Sequence, residues 1–170
     1  MPIGLTFVPN MTFVFGSKIV YLRATNSRHT MEKLEHIGIA VKNLTKSNQL
    51  FAKLLGKEPY KIEEVPSEGV RTSFFDVGGI KIELLEATRA DSPIANFIEK
   101  RGEGLHHLAF AVAPIEDKMK EFSDQGFHLL SDKPKDGADN KKIVFMHPKG
   151  TNNVLVELCE DRPDGHRDRD

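Results

Sequence analysis

Four residues of two chemical types recur in one order along this chain. His36-Ile-Gly-Ile-Ala-Val41 returns as His107-Leu-Ala-Phe-Ala-Val112, and Ile82-Glu-Leu-Leu-Glu86 returns as Val156-Glu-Leu-Cys-Glu160. Glu83 follows His36 by 47 residues, and Glu157 follows His107 by 50. Two such words at nearly one interval mark an internal duplication. Brought together by the pseudo-twofold symmetry of a doubled fold, the imidazoles and carboxylates make an N2O2 donor set. That set suits a divalent cation such as Co, Ni, Mn, Fe or Zn, with positions left for substrate oxygens. Taken singly, each residue has a plainer reading. A His at a strand start is commonly a satisfied core or surface group, and a mid-strand Glu commonly faces solvent.

The elements that must position these residues follow one plan twice. In the first half a strand at about 36–41 leads to a helix at about 45–55 with Leu50, Phe51, Leu54 and Leu55 on one side, ended by Gly56 as a left-handed cap. Strands follow at about 58–64, 70–77 and 80–86, the last two joined by a Gly78-Gly79 hairpin turn. In the second half a strand at about 105–112 leads to a helix at about 115–125 carrying Ile115, Met119 and Phe122 and closed by Gly126. Strands at about 127–131, 142–147 and 153–158 complete it. Ser92 and Pro93 open a linking helix over 93–101 as N-cap and first helical residue. Each half is too short to bury much core alone. One α+β domain is therefore expected over 34–160, with repeat one at 34–87, the linking helix at 92–101 and repeat two at 104–160.

Strand alternation assigns the faces. His36, Gly38 and Ala40 share one face and Ile37, Ile39 and Val41 the other; His107, Ala109 and Ala111 likewise oppose Leu108, Phe110 and Val112. The bulky face has the helix of its own repeat as partner. A histidine followed by two small residues, twice, leaves room on the other face for a ligand cavity. Glu83 and Glu157 point away from apolar flanks, and an unpaired carboxylate there must gain a proton or find a cation. By the same alternation His106 lies opposite His107 and is structural. His147, before Pro148, is a loop residue, and Cys159 is a small buried hydrophobe.

Composition removes several other functions. Lys plus Arg is 24 against 25 for Asp plus Glu, a net charge of −1 that gives no reason to expect a nucleic-acid or membrane partner. One cysteine permits no internal disulfide, which fits a reducing compartment, the cytoplasm. No apolar run approaches the roughly 18 residues of a membrane span. Residues 1–33 read as a flexible or non-native leader, with Met31 a possible true start. The lack of acidic residues in 1–30 keeps open a presequence and hence a mitochondrial matrix location, although that stretch is poor in Arg. The charged tail at 161–170 reads as disordered.

With these words in place, the chain resembles the vicinal-oxygen-chelate superfamily, in which paired βαβββ modules form a half-open mixed sheet around a metal cleft. Over residues 34–160 it resembles the methylmalonyl-CoA epimerase family. The resembling words are His36–Val41, Glu63–Val70, Gly78–Glu86, Asp91–Ala95, Gly102–His107, His147–Lys149 and Val154–Leu158. The resemblance implies interconversion of (R)- and (S)-methylmalonyl-CoA by C2 proton abstraction through a metal-stabilised enolate. It implies a divalent metal, Co2+ by preference, on His36, Glu83, His107 and Glu157, with Glu157 doubling as base. An acyl-CoA substrate and a homodimer follow from it too. Lys142 and Lys149, with Lys135 and Lys141 nearby, could meet coenzyme A phosphates, though a solvated lysine-rich loop reads the same way. Some family members place a basic glutamate just after the Gly-Val pair. Here Gly69-Val70 leads to Thr72, which cannot act as a base at neutral pH, so the second base stays open, with Glu68 near in sequence. A glyoxalase I-type lyase uses a similar quartet and is the first alternative. A non-catalytic ligand-binding module on the same scaffold is the second.

Overall fold

In the computed structural model, residues 12–15, 18–21, 31 and 33–163 are described. The expectations for the rest of the leader, and for residues 164–170 of the tail, lie outside the described residues. The chain divides into two units, Met1–Thr30 and Met31–Asp170. In the first, β1 (Thr12–Phe15) pairs antiparallel with β2 (Lys18–Tyr21).

The second unit carries the duplication as two similar runs of elements. The first run is β3 (Lys33–Ala40), α1 (Leu44–Leu55), β4 (Lys61–Val65), β5 (Val70–Val77) and β6 (Ile80–Ala87). After α2 (Pro93–Arg101), the second run is β7 (Gly104–Ala111), α3 (Ile115–Asp124), β8 (Lys135–Asp136), β9 (Lys141–Met146) and β10 (Leu155–Asp161). The helix ends follow local chemistry. The Asn43 side chain accepts from the Lys46 amide to start α1, and Gly56, at φ +70°, ends it. Ser92 caps α2, with Pro93 in the first turn. Gly78 and Gly79, both at positive φ, make the two-residue turn between β5 and β6.

The eight strands form one mixed sheet in the order β4-β5-β6-β3-β7-β10-β9-β8. Its centre is the antiparallel pair β3 and β7, the first strand of each repeat. Each is flanked by its own repeat's last strand in parallel, β6 beside β3 and β10 beside β7. The sheet curls into a half-barrel, the vicinal-oxygen-chelate architecture expected from the sequence.

One face carries α1 and α3, while Ile94 of α2 packs with Ala40, Val70 and Leu85 on the cavity side. Phe51, Ala52 and Leu55 of α1 pack with Val41, Phe75 and Leu84, while Ile115, Met119 and Phe122 of α3 pack with Val144, Met146 and Leu158. Two expectations need correction. Leu50 and Leu54 do not join Phe51 and Leu55: they are 63% and 71% exposed, because the buried stripe runs through Leu44, Phe51, Ala52 and Leu55 and leaves them on its flank. Nor is 127–131 a strand. It makes a single bridge, Leu129 to Met146, and the edge strand forms later at Lys135–Asp136, after Pro134, which has no amide to offer a ladder. Among the described residues no helix is long and apolar enough to cross a membrane.

Candidate metal centre

His36, Glu83, His107 and Glu157 come from β3, β6, β7 and β10, the four central strands, and all four side chains are buried. The strand order alone puts them together. Gly38 sits beside both Glu83 and His107 in the ladders, and Glu157 sits beside Ala109. Nε2 of His36 lies 2.9 Å from Nε2 of His107 and 3.3 Å from Oε2 of Glu83. It is 3.8 Å from Oε1 of Glu157. Nε2 of His107 is 3.5 Å from Oε2 of Glu83 and 3.6 Å from Oε2 of Glu157. Donors about 2.0–2.2 Å from one cation stand about 3.0 Å apart on an octahedron and about 3.4 Å apart on a tetrahedron. The observed spacings bracket both values. The two imidazole nitrogens, each near both carboxylates, therefore fit a divalent cation in chemistry and in His–Glu separation, and ligand atoms of His36, His107 and Glu157 all lie within 4.8 Å of one another.

Electrostatics agrees with that fit. Burial opposes a charge on His36, but Glu83, Glu157 and the contact to Glu35 outweigh it and push its pKa up to about 10. Burial likewise opposes ionisation of Glu83, yet His36 and His107 hold its carboxyl well below the usual range. In Glu157 burial wins, and the carboxyl is pushed up. Without a cation the ionised Glu83 is balanced by a protonated His36, so a divalent ion held here would take the place of the His36 proton.

The small residues beside each histidine have a use the sequence did not reveal. A Cβ on Gly38 would lie 2.2 Å from Cε1 of His107, so the space left there is filled by the His107 ring rather than by ligand. Ala109 is likewise packed, among Ile143, Cys159 and Phe145. The cavity itself, of about 220 Å³, extends beyond the quartet. Val70, Phe74, Leu85, Ile143 and Phe145 make much of its apolar wall.

Two cavity-lining residues escaped strand alternation, and for one reason. In the β3–β7 ladder Leu34 pairs with Phe110 and His36 with Ala109, leaving Glu35 as an extra residue; Gly38 pairs with His107 and Ile39 with Leu105, leaving His106 as the other. These are two β-bulges related by the duplication, each one residue before a quartet histidine. A bulge resets the alternation, so both side chains turn into the cavity. His106 is therefore not opposite His107, as expected, but against it: their Nδ1 atoms are 2.9 Å apart, and burial with its neighbour takes the His106 pKa down to about 3. Glu35 places Oε2 2.5 Å from Nδ1 of His36. The signal was present as Glu35-His36 and His106-His107, a polar residue before the ligand in both copies.

The other assigned residues are placed as follows. Thr72 is fully buried, its hydroxyl 3.0 Å from both Oε1 of Glu83 and the Leu84 carbonyl. Glu68 lines the cavity with Lys135, whose Nζ is 2.7 Å from its Oε1. Lys141 also lines it. Lys142 and Lys149 are not among the lining residues. Lys142 turns toward Glu116 at 3.3 Å, and Lys149 lies in the short 3-10 turn Pro148–Gly150, capped by the His147 ring. Cys159 is buried, and burial pushes its thiol up.

A strap from the second module crosses the cavity toward the first. Leu130, Ser131, Lys135 and Gly137–Asp139 contribute to the lining. Asp139 anchors the strap, with Oδ2 2.5 Å from Lys81 Nζ and Oδ1 3.2 Å from Lys61 Nζ. Its backbone amide also donates to Oε1 of Glu63.

Known proteins share this sequence and this shape. Residues 35–145 match the Glyoxalase/Bleomycin resistance protein/Dioxygenase superfamily. An uncharacterized protein of Bacillus subtilis, YqjC, is 41% identical over 140 residues, 82% of this chain and 100% of that protein. The ethylmalonyl-CoA/methylmalonyl-CoA epimerase of Cereibacter sphaeroides is 37% identical, over 74% of this chain and 96% of its own. Among solved structures, a methylmalonyl-CoA epimerase in complex with methylmalonyl-CoA and NH4+ superposes with a TM-score of 0.74 at 33% identity, covering 77% of this chain and 95% of that one.

Proposed function

Because the chain belongs to the glyoxalase/bleomycin resistance protein/dioxygenase superfamily and, within it, to the methylmalonyl-CoA epimerase family, we propose that it interconverts (R)- and (S)-methylmalonyl-CoA with the help of a divalent cation. The observation that carries this reading is the convergence of His36, Glu83, His107 and Glu157 on one buried point at the edge of an apolar cavity. The family resemblance favours Co2+ as the ion and a homodimer as the assembly.

The C2 proton of methylmalonyl-CoA lies between a thioester and a carboxylate, and its removal leaves an enolate. A divalent cation held by His36, Glu83, His107 and Glu157 would supply Lewis acidity to stabilise the enolate charge. The chain supplies the rest. Nε2 of His36 and of His107 face the centre, while Glu35 and His106 hold the opposite ring nitrogens. Thr72 fixes Glu83 by its hydroxyl. Glu157, met by the imidazoles at the longer distances of 3.6 and 3.8 Å and with its carboxyl pushed up by burial, is the better placed of the two carboxylates to take a proton. A positioned base of this kind contributes about 10²–10⁴-fold. Inversion needs a proton on the opposite face of C2, and the cavity offers Glu68, beside Lys135. Val70, Phe74 and Phe145 keep water from the carbanion.

Chirally resolved turnover tests the proposal. Optically pure (S)-methylmalonyl-CoA is expected to lose optical purity in the presence of the Co2+-loaded protein. Retention of that purity with every divalent metal tried, together with turnover of a glutathione hemithioacetal, would transfer the assignment to a lyase on the same scaffold. Binding of acyl-CoA without turnover, and with no metal requirement, would indicate a ligand-binding module.

A further inference from the structure

We infer that Glu35 is a positioning residue that fixes the ring of His36 and strengthens it as a cation ligand, an inference resting on the metal centre proposed above. Nε2 of His36 faces the quartet, so the proton of the neutral ring belongs on Nδ1, which lies 2.5 Å from Oε2 of Glu35. A carboxylate accepting the far N–H of a ligand imidazole sets its tautomer and raises its basicity. Glu35 is itself held against rotation. Its other oxygen, Oε1, meets Lys81 Nζ at 2.5 Å and Lys141 Nζ at 3.2 Å, leaving Oε2 for the histidine. The residue is buried and reaches this position through the bulge that takes it out of the ladder. The duplication provides an internal contrast. At the matching bulge the neighbour of His107 is His106, a second imidazole at 2.9 Å. The two imidazoles of the quartet are thus supported unequally, one by a carboxylate and one by another ring.

The test compares Co2+ dissociation constants, by chelator competition, for the wild-type chain, Glu35→Gln and Glu35→Asp. The amide keeps the shape and loses the charge; the shorter acid keeps the charge and withdraws it from the ring. Both are expected to bind Co2+ about 10–100-fold more weakly, with shifted visible absorption bands, while the metal-free Gln variant retains its fold by circular dichroism. A purely structural role would lower the melting temperature and leave affinity and spectrum of the folded protein unchanged; that result overturns the inference. If Glu35→Gln fails to fold, Glu35→Asp decides by the same readings. A wild-type chain that binds no divalent cation overturns the metal centre, and this inference with it.

Discussion

Thr72 donates its hydroxyl at 3.0 Å to Oε1 of Glu83, the quartet carboxylate on the neighbouring strand. Thr72 thus holds the Glu83 carboxylate, and its hydroxyl is no base at neutral pH. Its hydroxyl has one hydrogen to share between Glu83 and the Leu84 carbonyl, and both partners are buried. Thr72→Val keeps the shape and removes the donor. Hydrogen bonds to charged groups contribute about 1.5–3 kcal/mol, so urea unfolding should show a loss of that order, accompanied by weaker Co2+ binding. Wild-type stability and affinity in this variant would deny the role.

Gly38→Ala tests the fit of the second imidazole. A methyl there would overlap the His107 ring at 2.2 to 2.7 Å, so the buried ring must shift. Overpacking of this kind costs about 1–3 kcal/mol. Displacing Nε2 of His107 should also reduce Co2+ affinity at least tenfold, measured by chelator competition. Unaltered affinity would mean that the ring can ligate from another position.

Asp139 joins the strap of the second module to Lys81 and Lys61 of the first, in a partly buried ion-pair group. Its φ of +52° makes Asn the suitable replacement, since Asn tolerates that region as Asp does. Asp139→Asn is expected to raise KM for methylmalonyl-CoA more than it lowers kcat, because the strap lines the cavity and reaches the quartet only through Lys81 and Glu35. Faster limited proteolysis within 131–140 should accompany it. A loss confined to kcat would place Asp139 in the chemistry instead.

Metal removal should move stability in a direction that pH controls. Ligand binding to the folded state alone adds about 2.7 kcal/mol at a hundredfold excess over Kd, so the melting temperature should rise with added Co2+ and fall with chelator. His36, with its pKa pushed up to about 10, must give up a proton to ligate. Apparent Co2+ affinity should therefore increase from pH 6 to pH 9, by up to about tenfold per unit for one proton released. In the metal-free chain the sign reverses. A pKa raised above the unfolded value stabilises the fold at low pH, and this contribution fades as pH rises toward 10. Affinity that is flat across this range would contradict the assignment of His36.

Much of this was legible in the residues, because duplication is visible in sequence and strand order is its consequence. The paired words located the quartet, and caps such as Gly56 and Ser92 are local signals that no tertiary contact had to override. Glu35 and His106 were lost because alternation assumes an unbroken ladder, and a bulge depends on the partner strand's register. The strap was lost for a related reason. Ser131–Pro134 carries no periodic signal, and its path over the cavity is fixed by ion pairs between modules distant in sequence, such as Lys135 with Glu68. Leu50 and Leu54 show the same limit for helices: a wide apolar stripe does not reveal which part of it the sheet will cover.

The most direct measurement is deuterium uptake at C2 of methylmalonyl-CoA in D2O, followed while Co2+ is titrated into the metal-stripped protein. Exchange should be near zero at the start, rise to a plateau at one equivalent per chain, and stay near zero throughout in His107→Ala and Glu157→Gln. Equal exchange in the stripped protein, or a plateau reached unchanged by both variants, would contradict a reaction centred on the cation and these four side chains.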